Sequence, residues 1–263
     1  FAEPGGQVLM TRPCFPIYHL FAEAEGRQPV YIDTPTMTCE VDAYIDAIGP
    51  DTRIVFVTNP HSPSGTWLEE ADVRRIVEAA PHALVALDEA YVHYSDTPGY
   101  IHLAAEYDNL IVLRTFSKAF GLAGLRLGFG VAHPNLIPPL LAVKPTWNVG
   151  RLQIAGGIAA LTDDEHVDRT ITAILEGKAH ATARFAELDR FRLVPGTRSN
   201  FMLIEILDPD TDSTLVFKDL LERGVIVKDG SVSFRGLEKR YLRSDINLPH
   251  RMDHLVDALA DLP

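Results

Sequence analysis

The chain has 263 residues and carries 36 acidic against 24 basic side chains, which gives a formal net charge of −12. This acidic balance argues against a protein that coats nucleic acid, because phosphate binding requires a basic face. Hydrophobic residues make up 46% of the chain, enough for a core, which excludes general disorder. The longest apolar runs, such as Ala83–Leu87, are too short to span a membrane. The two cysteines, Cys14 and Cys39, exclude a disulfide framework and favour a reduced, cytoplasmic location.

The first six residues, Phe1–Gly6, read as the end of a helix followed by a turn, and a predicted strand begins at once. We therefore expect that residues preceding Phe1 are missing from this sequence. From there to about residue 150, short β-rich runs alternate with amphipathic helical stretches. The predicted strands are Gln7–Met10, Pro29–Ile32, Ile54–Thr58, Leu84–Leu87, Leu110–Leu113 and Leu127–Val131. The predicted helices are Tyr18–Ala24, Val41–Ile48, Glu69–Ala80 and Ile101–Glu106.

Several of these strands are near-continuous runs of Val, Ile, Leu and Ala, as expected when helices cover both faces of a mostly parallel sheet. The alternation of strands and helices predicts an α/β domain with right-handed crossovers. In such sheets, ligands bind beyond the carboxyl ends of the strands.

The pattern changes after about residue 150 and predicts a smaller α+β unit, joined to the first by a long helix. The predicted helices are Arg151–Leu161, Glu165–Phe191, Thr214–Glu222 and His250–Ala260. The predicted strands lie around Phe201–Ile206, Val225–Val227 and Tyr241–Asp245. We place a large domain at residues 1–155 and a small C-terminal domain at residues 156–263.

Three polar segments directly follow predicted strands. They are Asn59-Pro60-His61-Ser62-Pro63-Ser64-Gly65, then Asp88-Glu89-Ala90-Tyr91, and then the fifteen residues from Arg114 to Gly128. Taken alone, each has an ordinary structural explanation, because proline and glycine form loops, aspartate caps helices and lysine is usually solvated.

In combination and in this order, the segments resemble the class I and II aminotransferases, which are fold-type-I pyridoxal-phosphate enzymes. The resemblance is closest to the histidinol-phosphate aminotransferase branch, whose lysine motif is similar to Ser117-Lys118-Ala119-Phe120 followed by Gly124-Leu125-Arg126. It covers the chain from the first residues to the last helix. It implies an α/β fold with a mostly parallel sheet, a smaller α+β domain, pyridoxal 5'-phosphate as cofactor, and a homodimer with shared active sites.

The resemblance implies that Lys118 forms the Schiff base with the cofactor and later moves a proton. It implies that Asp88 keeps the ring nitrogen protonated, since the ring withdraws electrons only in that form. It places Asn59 and Tyr91 at the phenolic oxygen, with Tyr91 also counted among the catalytic residues.

For the cofactor phosphate, the resemblance implies Ser117 and Arg126 as ligands, with Thr115 as a further candidate. Phe15 matches the aromatic residue that stacks on the ring, although a core aromatic at a helix entry is the ordinary alternative.

The substrate carboxylate requires a bidentate partner, and the resemblance implies Arg243, in Tyr241-Leu242-Arg243-Ser244-Asp245-Ile246, for that role. A solvent-facing strand arginine is the alternative. Asn148 and Asn200 match further positions that line the family's substrate site.

Two features depart from the family. Its Gly-rich phosphate-binding loop precedes the point where this chain begins, and nothing in this sequence matches it. The stretch between Val227 and Arg243 carries the basic residues Lys228, Arg235, Lys239 and Arg240. They indicate either recognition of a phosphate or second acidic group on the substrate, or a solvated loop, and Asp245-Ile246-Asn247 indicates a divergent substrate.

The resulting hypothesis is an aminotransferase that moves an amino group between an amino acid, or a histidinol-phosphate-like amine, and a 2-oxo acid. The same residues would also serve a decarboxylase, lyase or cyclase, and a non-catalytic regulator on the same fold is a further alternative. No nucleic-acid or membrane partner is expected. We expect no metal site, because His250 and His254 have helical spacing but lack a third ligand.

Overall fold

The computed structural model describes residues 1–262, which contain two β-sheets. The strands of the first, sheet A, are β1 (Gln7–Arg12), β2 (Gln28–Asp33), β3 (Thr52–Thr58), β4 (Leu84–Asp88), β5 (Leu110–Thr115) and β6 (Gly128–Ala132). Their order across the sheet is β2-β1-β3-β4-β5-β6. All neighbours run parallel except β5 and β6, which pair antiparallel. The predicted α/β fold with a mostly parallel sheet is confirmed.

Helices α1 (Ile17–Ala24), α2 (Val41–Ala47) and α3 (Glu70–Ala79) connect the first strands of sheet A. Because side chains alternate along a strand, β1 contributes to two cores. Val8 and Met10 pack against α1, whereas Leu9 packs into the main core with α2 and α3. The core therefore lies on both faces of sheet A, and this leaves the carboxyl ends of the strands open for a site.

The second sheet, sheet B, is antiparallel, with the order β7-β8-β10-β9. Its strands are β7 (Phe191–Leu193), β8 (Phe201–Ile206), β9 (Lys228–Asp229) and β10 (Tyr241–Asp245). The remaining helices are α4 (Ile137–Val143), α5 (Arg151–Leu161), α6 (Asp164–Phe185), α7 (Ser213–Glu222), α8 (Gly230–Ser233) and α9 (Pro249–Ala260). Apolar side chains of α6, α7 and α9 cover sheet B and form a core of their own.

Some predicted elements differ from the structure. The long helix ends at Phe185, because Phe191 pairs with β8 as part of an edge strand. The segment Ile101–Ala105 is a 3₁₀ helix instead of an α-helix. The predicted strand at Val225–Val227 is wrong, since those valines fill the core while the next two residues make the ladder to β10.

The start of the chain also differs from the prediction, because residues 1–6 form a turn instead of a helix end. The backbone N–H of Gly6 donates to the carbonyl of Glu3 and closes that turn. The predicted boundary between residues 155 and 156 stays a prediction; it falls within α5, between the two sheets. Residue 263, which the small domain was predicted to include, lies outside the described residues.

Two features are absent from residues 1–262, a helix that could span a membrane and a cluster of metal ligands. Every described helix is too short or too polar to cross a bilayer. Among the same residues, no group of three or more His, Cys, Asp or Glu side chains is placed to hold a metal ion, and the pair at His250 and His254 is no exception.

Candidate active site

A cavity of about 450 Å³ lies at the carboxyl ends of β3, β4 and β5. Parallel strands bring their ends to one edge of the sheet, so segments distant in sequence meet there. The cavity is lined by Phe15, Thr58, Ser62, Asp88, Ala90, Tyr91, Leu113, Arg114, Thr115, Ser117, Lys118, Ala123 and Arg126. Seven of the residues singled out from the sequence are therefore together in one cavity.

Asp88 ends β4, and both of its carboxylate oxygens accept hydrogen bonds. Tyr18 Oη donates to Oδ2 over 2.5 Å, and the backbone N–H of Ala90 donates to Oδ1 over 3.0 Å. Burial raises the pKa of the Asp88 carboxyl above its ordinary value, while the Tyr18 bond, the Ala90 bond and the charge of Lys118 act in the opposite direction. The carboxyl group is thus presented to the cavity in a fixed orientation.

Lys118 lies in the segment after β5, and its Nζ is 5.0 Å from the centre of the Tyr91 ring. Tyr91 is buried and follows β4 by three residues. The Phe15 ring is 40% exposed and meets the Tyr18 ring edge-on, with 5.6 Å between centroids. An amine, a phenol and an exposed aromatic face therefore surround the same space as the Asp88 carboxyl group.

The candidate phosphate ligands Thr115, Ser117 and Arg126 line the same cavity. The Ser117 N–H donates to Thr115 Oγ1 over 3.0 Å, which orders the turn that leads into Lys118. Arg126 has a left-handed backbone with φ of 52°, and its Nη1 donates to the carbonyl of Ala123 over 3.0 Å. Its exposed guanidinium retains free N–H groups, and these suit an anion.

The Asn59 side chain is held by the backbone of Leu68, and its contact with the phenolic oxygen of the cofactor stays a prediction. Asn59 is fully buried; its Nδ2 donates to the Leu68 carbonyl over 3.0 Å, and its Oδ1 accepts from the Leu68 N–H over 2.8 Å. Its amide ties the loop to the segment before α3, and Asn59 is not among the lining residues. Three residues later, Ser62 does line the cavity, and its buried Oγ has no hydrogen-bond partner within residues 1–262.

Arg243 lies on β10 and is buried, with 8% of its surface exposed. Its guanidinium carbon stands 4.5 Å from the Phe201 ring centre and 5.3 Å from that of Phe234. Its Nε has no hydrogen-bond partner within residues 1–262. Phe201 in turn meets Tyr91 edge-on at 4.9 Å, so the arginine is one aromatic ring away from the cavity wall. This burial excludes the solvent-facing alternative.

The two asparagines predicted for the substrate site have different surroundings. Asn200 precedes β8, and its buried Oδ1 lacks a partner among the described residues, as Arg243 Nε does. Asn148 is exposed and accepts a bond from Lys144 over 3.2 Å. Neither asparagine is among the residues that line the cavity, and their substrate contacts stay predictions.

Several lining or supporting residues were missed from the sequence. Thr58 directly precedes the segment Asn59–Gly65 and Ser62 lies within it, so their position after β3 was the available signal. Arg114 also lines the cavity and pairs at 2.7 Å with Glu89, whose side chain is fully buried. Tyr18 carried no motif signal, because its partner Asp88 is 70 residues away.

Comparison with known proteins decides the family. The model of the aminotransferase class I and II family matches residues 1–259. The chain belongs to this family. Its members use pyridoxal phosphate, so the predicted family, enzyme class and cofactor are confirmed, and amino acids and 2-oxo acids are the substrate classes that the family implies.

Individual class I and II aminotransferases show how far the similarity extends. The histidinol-phosphate aminotransferase of Symbiobacterium thermophilum is 37% identical over 261 residues, which cover 98% of this chain and 70% of that protein. That of Methanopyrus kandleri is 34% identical over 244 residues, covering 92% and 61%. The structure of the Sinorhizobium meliloti enzyme, in complex with pyridoxal-5'-phosphate, matches with a TM-score of 0.89 at 23% identity, covering 98% and 70%. The chain thus spans 61% to 70% of the length of these two curated relatives.

The residues of the cavity fit pyridoxal phosphate. The buried Ser62 Oγ lacks a partner, and an acceptor such as the phenolic oxygen of the cofactor would satisfy it. The cavity also presents an amine, a carboxyl group and an arginine with free N–H groups, which match an aldehyde, a ring nitrogen and a phosphate. The donor and acceptor set therefore agrees with the family's cofactor.

Proposed function

We propose that the protein transfers an amino group between an amino acid, or a histidinol-phosphate-like amine, and a 2-oxo acid. The single observation that carries this proposal is the presence of Lys118 and Asp88 on the walls of one cavity, with Tyr91 between Lys118 and Phe201. An amine and a carboxyl group on the walls of one cavity can act on different atoms of one flat cofactor ring.

Bound pyridoxal phosphate would supply an aldehyde for the amino group and a ring that takes up electron density from the substrate carbon. Lys118 Nζ would hold the aldehyde in the resting protein and, once released, take the proton from the substrate Cα. Asp88 would accept a hydrogen bond from the ring nitrogen. Ser117 and Arg126 would hold the phosphate, and Phe15 would cover one face of the ring.

The residues around Arg243 favour an amine substrate that carries anionic groups. Arg243 has donors left free, and a carboxylate can accept two parallel bonds from a guanidinium. Lys228 lies opposite Arg243 in the ladder and has no ion pair within the described chain. Burial lowers the pKa of Lys228, and the positive charge of Arg243 adds to that effect. We propose that the two side chains together recognise a substrate with two anionic groups, such as a carboxylate and a phosphate.

The other three basic residues of this stretch are engaged elsewhere. Arg235 donates to Glu23 over 2.7 Å and to Tyr31 over 2.6 Å. Lys239 pairs with Asp212 at 3.5 Å, and Arg240 donates to a backbone carbonyl. These contacts favour Lys228 over the others as the second anion ligand.

The test of the function is reduction of the cofactor-loaded protein with borohydride, followed by mass spectrometry of its peptides. We expect the cofactor to be fixed on Lys118, and we expect Lys118→Ala to abolish both the adduct and the half-reaction with amino donors. Lys218→Ala, at an exposed lysine on α7, is the matched control and should behave like the wild type. An unchanged adduct in Lys118→Ala would contradict the assignment.

We further propose that the protein is a homodimer with shared sites, as predicted from the family. The surface of α4, α5 and the segment between them supports this, because Val143 is 80%, Trp147 91% and Leu152 80% exposed. A second copy would cover such an apolar surface. Light scattering at micromolar concentration should give twice the mass of the chain, and a fully active monomer would contradict the proposal.

We also propose a domain boundary and a location for the protein. The division into domains at residues 155 and 156 is kept as a proposal, supported by the separate cores of the two sheets. The cytoplasmic location is also kept as a proposal, and the free thiols of Cys14 and Cys39 are consistent with a reducing compartment.

A further inference from the structure

Tyr18, on α1, contacts the carboxyl group of Asp88 in the candidate site. Its side chain is buried, with 8% exposed, and its hydroxyl donates to Asp88 Oδ2 over 2.5 Å. The same hydroxyl lies 3.2 Å from Thr58 Oγ1. Within residues 1–262, Tyr18 is the only side chain that donates to Asp88, and the second donor is the backbone of Ala90.

Packing fixes the position of the Tyr18 ring. The ring stacks on Phe56, with 4.2 Å between centroids and 5° between planes, and Phe15 meets it edge-on. Phe56 lies on β3, next to the strand that carries Asp88. Because aromatic rings held on two sides have little rotational freedom, the hydroxyl is aimed at the carboxylate in the absence of any ligand.

We propose that Tyr18 is a positioning residue that keeps Asp88 ionised and oriented, so that the proton shared by Asp88 and a cofactor ring nitrogen stays on the nitrogen. A hydrogen bond donated to a carboxylate stabilises the ionised form and makes the oxygen less basic. A less basic carboxylate competes less strongly for the ring proton. The effect of Tyr18 on the cofactor ring nitrogen rests on the proposed function, whereas the coupling of Tyr18 to Asp88 does not.

Few other titratable groups near Asp88 could keep its carboxyl group ionised. The titratable groups that face Tyr18 or Asp88 are the Cys14 thiol and the Lys118 ammonium. The further titratable or charged side chains that line the cavity are Tyr91, Arg114 and Arg126. Arg114 pairs with Glu89, and Arg126 donates to the carbonyl of Ala123. Burial raises the pKa of Asp88, and among the groups that oppose this effect the Tyr18 bond is the largest.

The test compares Tyr18→Phe with Tyr44→Phe in the cofactor-free protein. Tyr44 is buried in the same half of the molecule, and its hydroxyl donates to the Phe56 carbonyl over 3.2 Å, a group that does not titrate. Without the Tyr18 hydroxyl, the pKa of Asp88 rises further, so ionisation of the buried carboxyl group becomes more costly as the pH rises. The loss in Tm caused by Tyr18→Phe should therefore be larger at pH 8 than at pH 5, by about 3 °C.

Tyr44→Phe should lower the Tm equally at both pH values. In an Asp88→Asn background, the pH-dependent part of the Tyr18→Phe loss should vanish, because the amide does not ionise. A Tyr18→Phe loss that is the same at pH 5 and pH 8 overturns the inference. If Tyr18→Phe unfolds at pH 8 but folds at pH 5, while Tyr44→Phe folds at both, the inference is supported in its strongest form. If Tyr18→Phe folds at neither pH in either background, the hydroxyl acts on folding as a whole and the inference is overturned.

A second readout uses the cofactor-loaded protein. We expect the pH midpoint of the bound cofactor's visible absorbance to shift upward in Tyr18→Phe, because a less positive ring holds its other proton more tightly. An unchanged midpoint would show that Tyr18 does not influence the proton on the ring nitrogen. If the wild type takes up no cofactor, the proposed function fails, yet the Tm comparison still decides whether Tyr18 is coupled to Asp88.

Discussion

The two sides of the candidate site differ in how their buried polar groups are hydrogen-bonded. We call the sheet A side the paired wall and the sheet B side the unpaired wall. At the strand ends of sheet A, Asp88 accepts two hydrogen bonds, and the His61 ring nitrogens have partners in Ser64, Thr11 and a backbone carbonyl. On sheet B, the buried Arg243 Nε and Asn200 Oδ1 have no partners within residues 1–262.

Unpaired buried polar groups are costly, so a chain keeps few of them without a reason. The paired wall is organised before any ligand arrives, which suits a cofactor that remains bound. We propose that the unpaired wall keeps the Arg243 Nε donor and the Asn200 Oδ1 acceptor free for a substrate that must enter and leave. On the sheet A side, the buried Ser62 Oγ, Trp67 Nε1 and His93 Nδ1 also lack partners within residues 1–262, and of these three residues Ser62 lines the cavity.

The largest expected effect follows from breaking the paired wall at Asp88. We expect Asp88→Asn to retain the cofactor and to lower turnover by about 10³-fold or more, because the ring nitrogen loses its negative partner. Absorbance measures cofactor retention, and steady-state kinetics measures turnover. Asp42→Asn, an exposed aspartate on α2, is the control and should keep wild-type turnover. A normal rate in Asp88→Asn would mean that another group protonates the ring.

Acid should weaken the paired wall at His61. Burial lowers the pKa of His61 to about 4, below its value near 6.5 in the unfolded chain. The unfolded state therefore binds more protons between these values, and stability falls as the pH drops. This linkage removes about 2 kcal/mol between pH 7 and pH 5.

The corresponding variant is His61→Asn, with the exposed His82→Asn as its control. His61→Asn should lower the free energy of unfolding at pH 7 but reduce its fall between pH 7 and pH 5. Denaturant titrations at the two pH values measure both effects. An equal pH dependence in His61→Asn and the wild type would show that His61 takes no part in it.

A substitution on the unpaired wall should change substrate binding and leave the stability of the fold unchanged. Arg243→Lys cannot make two parallel bonds to a carboxylate, so we expect KM for amino acids to rise about 10-fold to 100-fold with the cofactor spectrum unchanged. Arg192→Lys, on the exposed edge of the same sheet, should leave KM unchanged. If Arg243→Lys affects neither amino acids nor phosphorylated amines, the substrate does not bind there.

The smallest expected effects come from two serine variants, Ser64→Ala and Ser62→Ala, because the Ser64 hydroxyl is hydrogen-bonded and the Ser62 hydroxyl is not. Ser64 Oγ bonds to His61 and Thr66, so Ser64→Ala should lower the Tm by several degrees. Ser62→Ala removes an unpaired hydroxyl and should leave the cofactor-free Tm unchanged or slightly higher. We expect it to weaken cofactor affinity by about 10-fold, measured by fluorescence titration. Unchanged affinity would show that Ser62 does not contact the cofactor.

Much of sheet A could be predicted from the sequence. Strand runs such as Leu84–Leu87 are short and apolar, and the polar segments after them mark the strand ends. Sheet B was harder, because β9 has only two residues and its apolar neighbours fill a core without joining the ladder. Alternating burial alone does not show which of two adjacent residues makes the hydrogen bonds.

The sequence by itself determined the family, the sheet type and the segments that form the site, because motif order and strand ends are local properties of the chain. Only the tertiary structure decided which side chains face the cavity. Asn59 turns to Leu68 while Ser62 faces inward, and Asp88 receives its hydrogen bond from Tyr18, 70 residues earlier. The physical reason is that a polar group bonds to whatever the fold brings within about 3 Å, and sequence distance does not limit that choice.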